Sequence, residues 1–523
     1  MVVTGRDANG RAVRGLGALA GRLVGDGVRL LSDHGEAAIV AAVLAFFVAV
    51  SMLFWQISTA SVDVHYDASE AVVWAQHFAF GYKHPPLTGW LFALWFSVFP
   101  RQQWALNLLT VTTSAVALAV SWRLLRDHLD KNRALLGLFA LMLIPLYDVK
   151  AEVLNANTVM IPVWAAALLF YLRARRGLAP LDAVLAGAFA SLAMLGKYWA
   201  VFLFAGMVVA SLVGPGVRRI WRSPAPYLMA AGAAIVLAPH VWWMATQSGA
   251  SVDFAESAAQ GMPFGAALAR LANYFVGSVA YIIGPLIFLA ALRPSRSALA
   301  DTAWPSEELR RQAWILLLVP LILPALVNLA VPYRLTAAWT SPNWAVLPVV
   351  LYGSRALFID ERATVRAGLF TLAATLAILI ASPVIACVRL THGPDLYRPH
   401  FHEVAEIGQS LAGRPVALIW GSQAIVSGLP FYLPQAKPLM VGPLSAEGRA
   451  AVSAKGLLIV CISGEEGCRQ NAKPFIDAGA PSKTVTLTRS FLGFSSRPVS
   501  FQITAVPPGQ INPAGTADVA QYR

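Results

Sequence analysis

Charge is what this chain of 523 residues has least of. Asp, Glu, Lys and Arg make up 13% of it, about half the share of an ordinary soluble domain. Acidic residues are scarcest, 27 against 40 Lys and Arg, which leaves a formal net charge of +13. Three cysteines exclude a cysteine-rich metal protein and a disulfide scaffold. There is no GxxxxGK(S/T) loop, no GxGxxG after a strand, no HExxH and no CxxC. The usual equipment for a soluble nucleotide is therefore missing. No cleavable signal peptide is apparent, since the first 35 residues are basic and Gly/Ala-rich with no short apolar core. These shortages exclude a disordered chain and an ordinary cytosolic enzyme.

What is present is apolar: 57% of residues are hydrophobic and the mean hydropathy is +0.61. That composition predicts a polytopic α-helical membrane protein. Eleven runs approach the length that crosses a hydrocarbon core. They are Ala37–Ile57, Trp104–Trp122, Ala134–Tyr147, Thr158–Leu172, Leu181–Leu195, Trp199–Val213, Tyr227–Ala245, Phe275–Leu292, Ala313–Val331, Trp344–Gly353 with its flanks, and Gly368–Val388. Leu87–Phe99 is too short to cross at about 1.5 Å per residue and is expected to lie in the interface.

Assigning the loops alternately to two sides puts 22 Lys and Arg on one side and 6 on the other. By the positive-inside rule the first set, with the N-terminus, is cytoplasmic and the C-terminus lies outside. The +13 is thus a topology signal and not a nucleic-acid footprint. Arg14, Arg22 and Arg29 lie in a weakly amphipathic stretch that fits either a helix on the inner membrane face or a basic tail. Residues 1–35 read as that basic segment, 36–389 as the membrane domain and 390–523 as a small α/β domain on the outer face. Its expected strands are Pro415–Trp420, Gly456–Ile462, Thr484–Leu487 and Val499–Ala505, and its expected helices Gln423–Tyr432, Ala446–Ala454 and Glu466–Gly479. Cys461 and Cys468 both fall here. They form a disulfide in an oxidising compartment, or Cys461 is a free buried thiol on a strand.

Ionisable groups beside apolar spans are functional candidates, and here they gather on the outer side. The first outer loop, residues 59–103, carries Asp63, His65, Asp67, Glu70, Tyr82, Lys83 and His84. If helical, Asp63 and Asp67 share a face, as do Asp67 and Glu70. One of these carboxylates can act as a general base on a hydroxyl. A divalent ion would draw on Asp63, His65, Asp67 and Glu70, although their spacing matches no recognised metal signature. Asp148, Glu152, Asn157, Lys197, Tyr198, His240 and Arg334 fall at other outer span ends. A reaction on that face needs a donor that reaches the membrane without ATP or a nucleotide sugar, which a lipid-linked donor does.

The stretch Tyr66–Leu91, YDASEAVVWAQHFAFGYKHPPLTGWL, resembles bacterial membrane glycosyltransferases of the GT-C superfamily, above all glycosyltransferase family 39. That group includes protein O-mannosyltransferases, lipid A aminoarabinose transferases and lipopolysaccharide galacturonosyltransferases. Leu195-Gly196-Lys197-Tyr198 resembles the family's Ser-Lys-Tyr motif. Pro239-His240-Val241-Trp242-Trp243 resembles its later Pro-His/Leu-Trp motif.

The resemblance implies a GT-C fold and an inverting transfer from a polyprenyl-phosphate sugar to an envelope lipid, glycan or protein, in a bacterial inner membrane. Asp67 is then the catalytic base. Lys197, Arg334, His240, Lys83 and His84 are expected at the donor phosphate. Glu70, Tyr82, Asp148, Glu152, Asn157 and Tyr198 are expected at substrate. Three positions depart from the pattern: Ala68 stands where relatives carry Glu, His84 where they carry Lys, and Asn157 where they carry Asp. The competing reading is a transporter or flippase of a lipid-linked substrate, which would show internal repeats and charges at mid-membrane. Neither is evident.

Overall fold

The structure is a computed structural model that describes residues 5–75, 78–81, 84–147, 149, 154–213, 216–247, 263–393, 398–439 and 446–510. A basic N-terminal helix, α1 (Gly5–Asp33), precedes the first long apolar helix, α2 (Glu36–Ser58). The connection that follows holds two short helices, α3 (Tyr66–Ala75) and α4 (Leu87–Val98). The bundle continues through α5 (Gln103–His128), α6 (Lys131–Met142), α7 (Ala156–Gly177), α8 (Pro180–Gly196), α9 (Val201–Leu212), α10 (Val217–Trp221), α11 (Ala225–Gln247), α12 (Phe264–Tyr281) and α13 (Ile283–Ala291). It closes with α14 (Arg296–Ala303), α15 (Glu308–Ala330), α16 (Leu347–Tyr352) and α17 (Glu361–His392).

Among the described residues six helices are long and apolar enough to cross a membrane: α2, α5, α7, α11, α15 and α17. The pair α12 and α13 makes a seventh if counted as one span bent by 51°. The other expected spans take different forms. Pro180–Gly196 and Tyr198–Leu212 are short apolar helices. Trp344–Gly353 is not one helix: a 3-10 stretch, Ala337–Val346, runs into α16, with Pro342 inside the first and Pro348 opening the second. Proline removes an amide donor and limits helix continuation. The expected interfacial run Leu87–Phe99 is the 12-residue α4.

One hydrophobic cluster runs through the bundle, with α7 at its centre. Beside it, α8 and α11 pack backbone to backbone. A Cβ at Gly187 would fall 1.9 Å from the Met229 carbonyl oxygen, and one at Gly232 would fall 2.2 Å from that of Val184. Without side chains there, the helices approach as small residues allow in membranes.

Beyond α17 the chain forms a separate small domain. It has helices α18 (Phe401–Ala412), α19 (Gln423–Gly428), α20 (Ala446–Lys455) and α21 (Glu466–Asp477). Its strands are β1 (Leu418–Gly421), β2 (Lys437–Pro438), β3 (Leu457–Ile462), β4 (Ser482–Leu487), β5 (Ser490–Phe491), β6 (Phe494–Ser495) and β7 (Val499–Val506). Five strands form one sheet in the order β2-β1-β3-β7-β4, parallel from β2 to β3 and antiparallel beyond. Strand β3, LLIVCI, is buried throughout, as a central strand covered on both faces must be. Cys461 on β3 and Cys468 on α21 are joined by a disulfide. Cys387 on α17 is free.

The domain docks on the connection that carries α3. Arg489 donates to Asp63 Oδ1 at 2.8 Å, and the His402 amide donates to Asp63 Oδ2 at 2.8 Å. Ser69 donates to the Gly428 carbonyl at 2.9 Å and accepts from the Phe431 amide at 3.0 Å. The Phe431 ring, 1% exposed, completes a core with Val64, Ala68, Val72, Phe92, Leu106 and Leu109.

Candidate active site

The site is built at the helix ends nearest that domain. Asp67 stands in the first turn of α3, where a carboxylate complements the helix dipole. Its backbone amide donates to His65 Nδ1 at 3.2 Å. Its carboxylate is partly exposed and accepts from Asn155 Nδ2 at 3.1 Å. Asn155 caps α7, its Oδ1 accepting from the Asn157 amide at 2.9 Å and from Asn157 Nδ2 at 3.2 Å. Asn157 Oδ1 in turn accepts from Lys197 Nζ at 2.8 Å.

These bonds form one polarised line. Donors point from Lys197 through Asn157 and Asn155 to Asp67. A carboxylate that only accepts and an ammonium that only donates satisfy the line from its two ends. The amide orientations follow from this network. Lys197 sits at the break between α8 and a 3-10 turn, Tyr198–Ala200, with its ammonium 3.9 Å from the centre of the Trp339 ring. Burial pulls the Lys197 ammonium down to about 7, while the charge of Asp67 pulls it up.

A second group closes the flank. His240 lies on α11 next to Pro239 and is 2% exposed. Its Nδ1 donates to the Phe80 carbonyl at 2.6 Å. That fixes Nε2 as the acceptor for the Tyr198 hydroxyl at 2.9 Å. The His240 ring stacks on Trp243, and a Cβ at Gly81 would fall 2.3 Å from the Trp243 ring. The close approach of α8 and α11 at Gly187 and Gly232 sets this meeting of Tyr198 and His240.

The sequence-predicted residues thus divide. Asp67, Asn157 and Lys197 are brought into one line, and Tyr198 and His240 into a pair beside it. His84 packs edge-on against Trp74 at 5.2 Å, and Glu70 is half-buried on α3, one turn beyond Asp67. Arg334 is exposed and makes no hydrogen bond or ion pair among the described residues. Its neighbour Tyr333 stacks on Trp339. Tyr82, Lys83, Asp148 and Glu152 lie outside the described residues.

Asp63 does not share a helix face with Asp67. Helix α3 begins at Tyr66, so Asp63 precedes it and pairs with Arg489. Burial raises the Asp63 carboxyl above its ordinary value, and Arg489 pulls it part of the way back. Among the described residues no three His, Cys, Asp or Glu side chains gather as metal ligands, and Asp63 is held by a cation. Sequence reasoning missed Asn155 and Trp339. Asn155 had a readable signal, an Asn just ahead of an apolar helical run, which is a helix-cap pattern. Trp339 had none.

Fold and composition together describe a polytopic helical membrane protein that resembles the membrane glycosyltransferases of the GT-C superfamily. The family described as dolichyl-phosphate-mannose-protein mannosyltransferase matches residues 83–243. The crystal structure of ArnT from Cupriavidus metallidurans bound to undecaprenyl phosphate superposes with a TM-score of 0.58 at 15% identity, covering 92% of this chain and 99% of that one. The same protein in the apo state gives 0.58 and 15%, covering 91% of this chain and 99% of that one. A search of curated proteins found no match.

Proposed function

We propose that the chain is an inverting glycosyltransferase that moves a sugar from a polyprenyl-phosphate donor to an acceptor hydroxyl. The observation that carries this is the line from Asp67 to Lys197, with an anion at one end and a cation at the other. The matched family and the ArnT fold, seen there with undecaprenyl phosphate, point to the donor class.

In the proposed reaction Asp67 takes the acceptor's hydroxyl proton as its oxygen attacks the anomeric carbon. The bond from that carbon to the phosphate oxygen breaks, and polyprenyl phosphate leaves. Lys197 neutralises the charge that develops on the departing phosphate. Asn155 and Asn157 hold both groups in place. Arg334, His84 and Lys83 are assigned to the donor phosphate. Tyr198 and His240 hold the flank at Phe80. Glu70, Tyr82, Asp148 and Glu152 are assigned to substrate contacts.

The face is the periplasmic one. Two features support it: the excess of Lys and Arg in the loops of the opposite side, and a disulfide in the small domain, a bond that persists in oxidising compartments. The acceptor is an envelope lipid, glycan or protein.

The test is transfer of radiolabelled sugar from a panel of polyprenyl-phosphate sugars by the purified full chain. Asp67→Asn should fold and lose about a hundredfold or more of kcat. Full activity in that variant removes Asp67 from the role. Uptake into vesicles without any glycosylated product would replace the transferase reading with a transporter.

A further inference from the structure

Strands β5 and β6 stand apart from the five-stranded sheet as a two-residue hairpin, with Phe491 paired to Phe494. Its tip is Leu492-Gly493, at φ 49° and 80°. Positive φ at both central positions is the type I′ geometry, which favours Asn, Asp or Gly at the first of them. Leucine is a poor choice there on backbone grounds, and a left-handed non-glycine residue calls for an explanation. Solubility does not supply one, because Leu492 is 66% and Phe494 55% exposed.

The surroundings supply it. The hairpin packs against α17, whose Leu376, Ile380, Val384 and Val388 are all exposed. Four residues apart, they form one apolar stripe along the last turns of the helix. Arg389, next in sequence to Val388, donates to the Ser58 carbonyl at the end of α2, so the stripe runs down from that level toward the middle of the bundle. At the hairpin's base Arg489 is fixed to Asp63.

We infer that the Phe491–Phe494 hairpin is a membrane anchor: Leu492 and Phe494 enter the acyl region of the bilayer beside α17. The partner is the lipid leaflet itself, since the exposed apolar tip belongs to a hairpin packed on a long apolar helix that carries its own exposed apolar stripe. The anchor holds the small domain's Arg489 edge down against the connection that carries α3. The inference rests on the membrane reading and is independent of the proposed reaction.

The experiment is a depth measurement on the full chain in phosphatidylethanolamine–phosphatidylglycerol vesicles. In a Cys387→Ser background a nitroxide is placed at Leu492→Cys, at Phe494→Cys and, as a control, at the exposed Glu406→Cys. Oxygen, which partitions into lipid, should relax the labels at 492 and 494 several-fold more effectively than a water-soluble nickel chelate, relative to 406. Labels at both positions as open to the chelate as 406 overturn the anchor. Leu492→Asn separates anchoring from folding. It suits the turn, so the melting temperature in detergent should not fall. In vesicles, the same variant should leave a label at 494 more open to the chelate. A label at 494 that Leu492→Asn leaves at its original depth also counts against the proposal.

Discussion

Phe431→Ala is the sharpest probe of how the small domain governs the candidate base. Phe431 is 1% exposed and packs among Ala68, Val72 and Phe92, while its amide donates to Ser69, two residues after Asp67. Removing the ring should cost about 3–5 kcal/mol, the range for a buried Phe cut to Ala. The cavity lies between the domain and α3, so the loss falls on docking and not on the domain's own sheet. At about 1.4 kcal/mol per factor of ten, a loss near 4 kcal/mol shifts the docked equilibrium roughly a thousandfold. Hydrogen exchange of the full chain reads this directly. Amides in α3 should exchange faster by up to that factor, while those of β3 and β7 keep their protection. Phe431→Leu, which keeps most of the volume, should lose far less. Transfer should fall with the order of α3. Unchanged exchange in α3 of the Ala variant would refute the reasoning.

Lys197 should make donor binding depend on pH. Its free ammonium titrates near 7, so the cation is present below that value and must be regained to bind phosphate above it. Affinity for undecaprenyl phosphate should therefore fall by up to about tenfold per pH unit above 7. Lys197→Arg, which stays charged, should flatten the profile, and parallel profiles in the two proteins would exclude the role. Asp63 gives the opposite kind of prediction, one about stability. Its carboxyl is raised above 3.8, so the unfolded form releases its proton first and the folded form loses stability as pH rises from 3.8 through the raised value. Melting curves should show wild type losing ground to Asp63→Asn over that rise. A wild type that gains ground instead would show that Arg489 outweighs burial.

How far the sequence was legible depends on what each feature is made of. Long uninterrupted apolar runs such as α2 and α17 stand out because hydrophobic length alone defines them. The stretch around Trp344 misleads for the same reason, since Pro342 and Pro348 change the backbone without lowering hydropathy. In the site, Asp67, Lys197 and His240 are visible because an ionisable group next to a span is rare. Asp63 looked equivalent to Asp67 only while the helix was assumed to include both. Its partner Arg489 lies 426 residues away, a distance no local spacing reports. Asn155 and Trp339 are uncharged, and their roles arise from a cap and a ring face that exist only once α7, α8 and the 3-10 stretch are packed. Of the two residues that join Asp67 to Lys197, Asn157 shows in the sequence through the resemblance, whereas Asn155 shows only as a helix-cap pattern. The carboxylate and the ammonium are cheap to recognise, but the two amides between them set their separation and polarity. That is why Asn155→Ala, which leaves every ionisable residue in place, should uncouple the two ends, lowering kcat while binding of undecaprenyl phosphate at Lys197 persists.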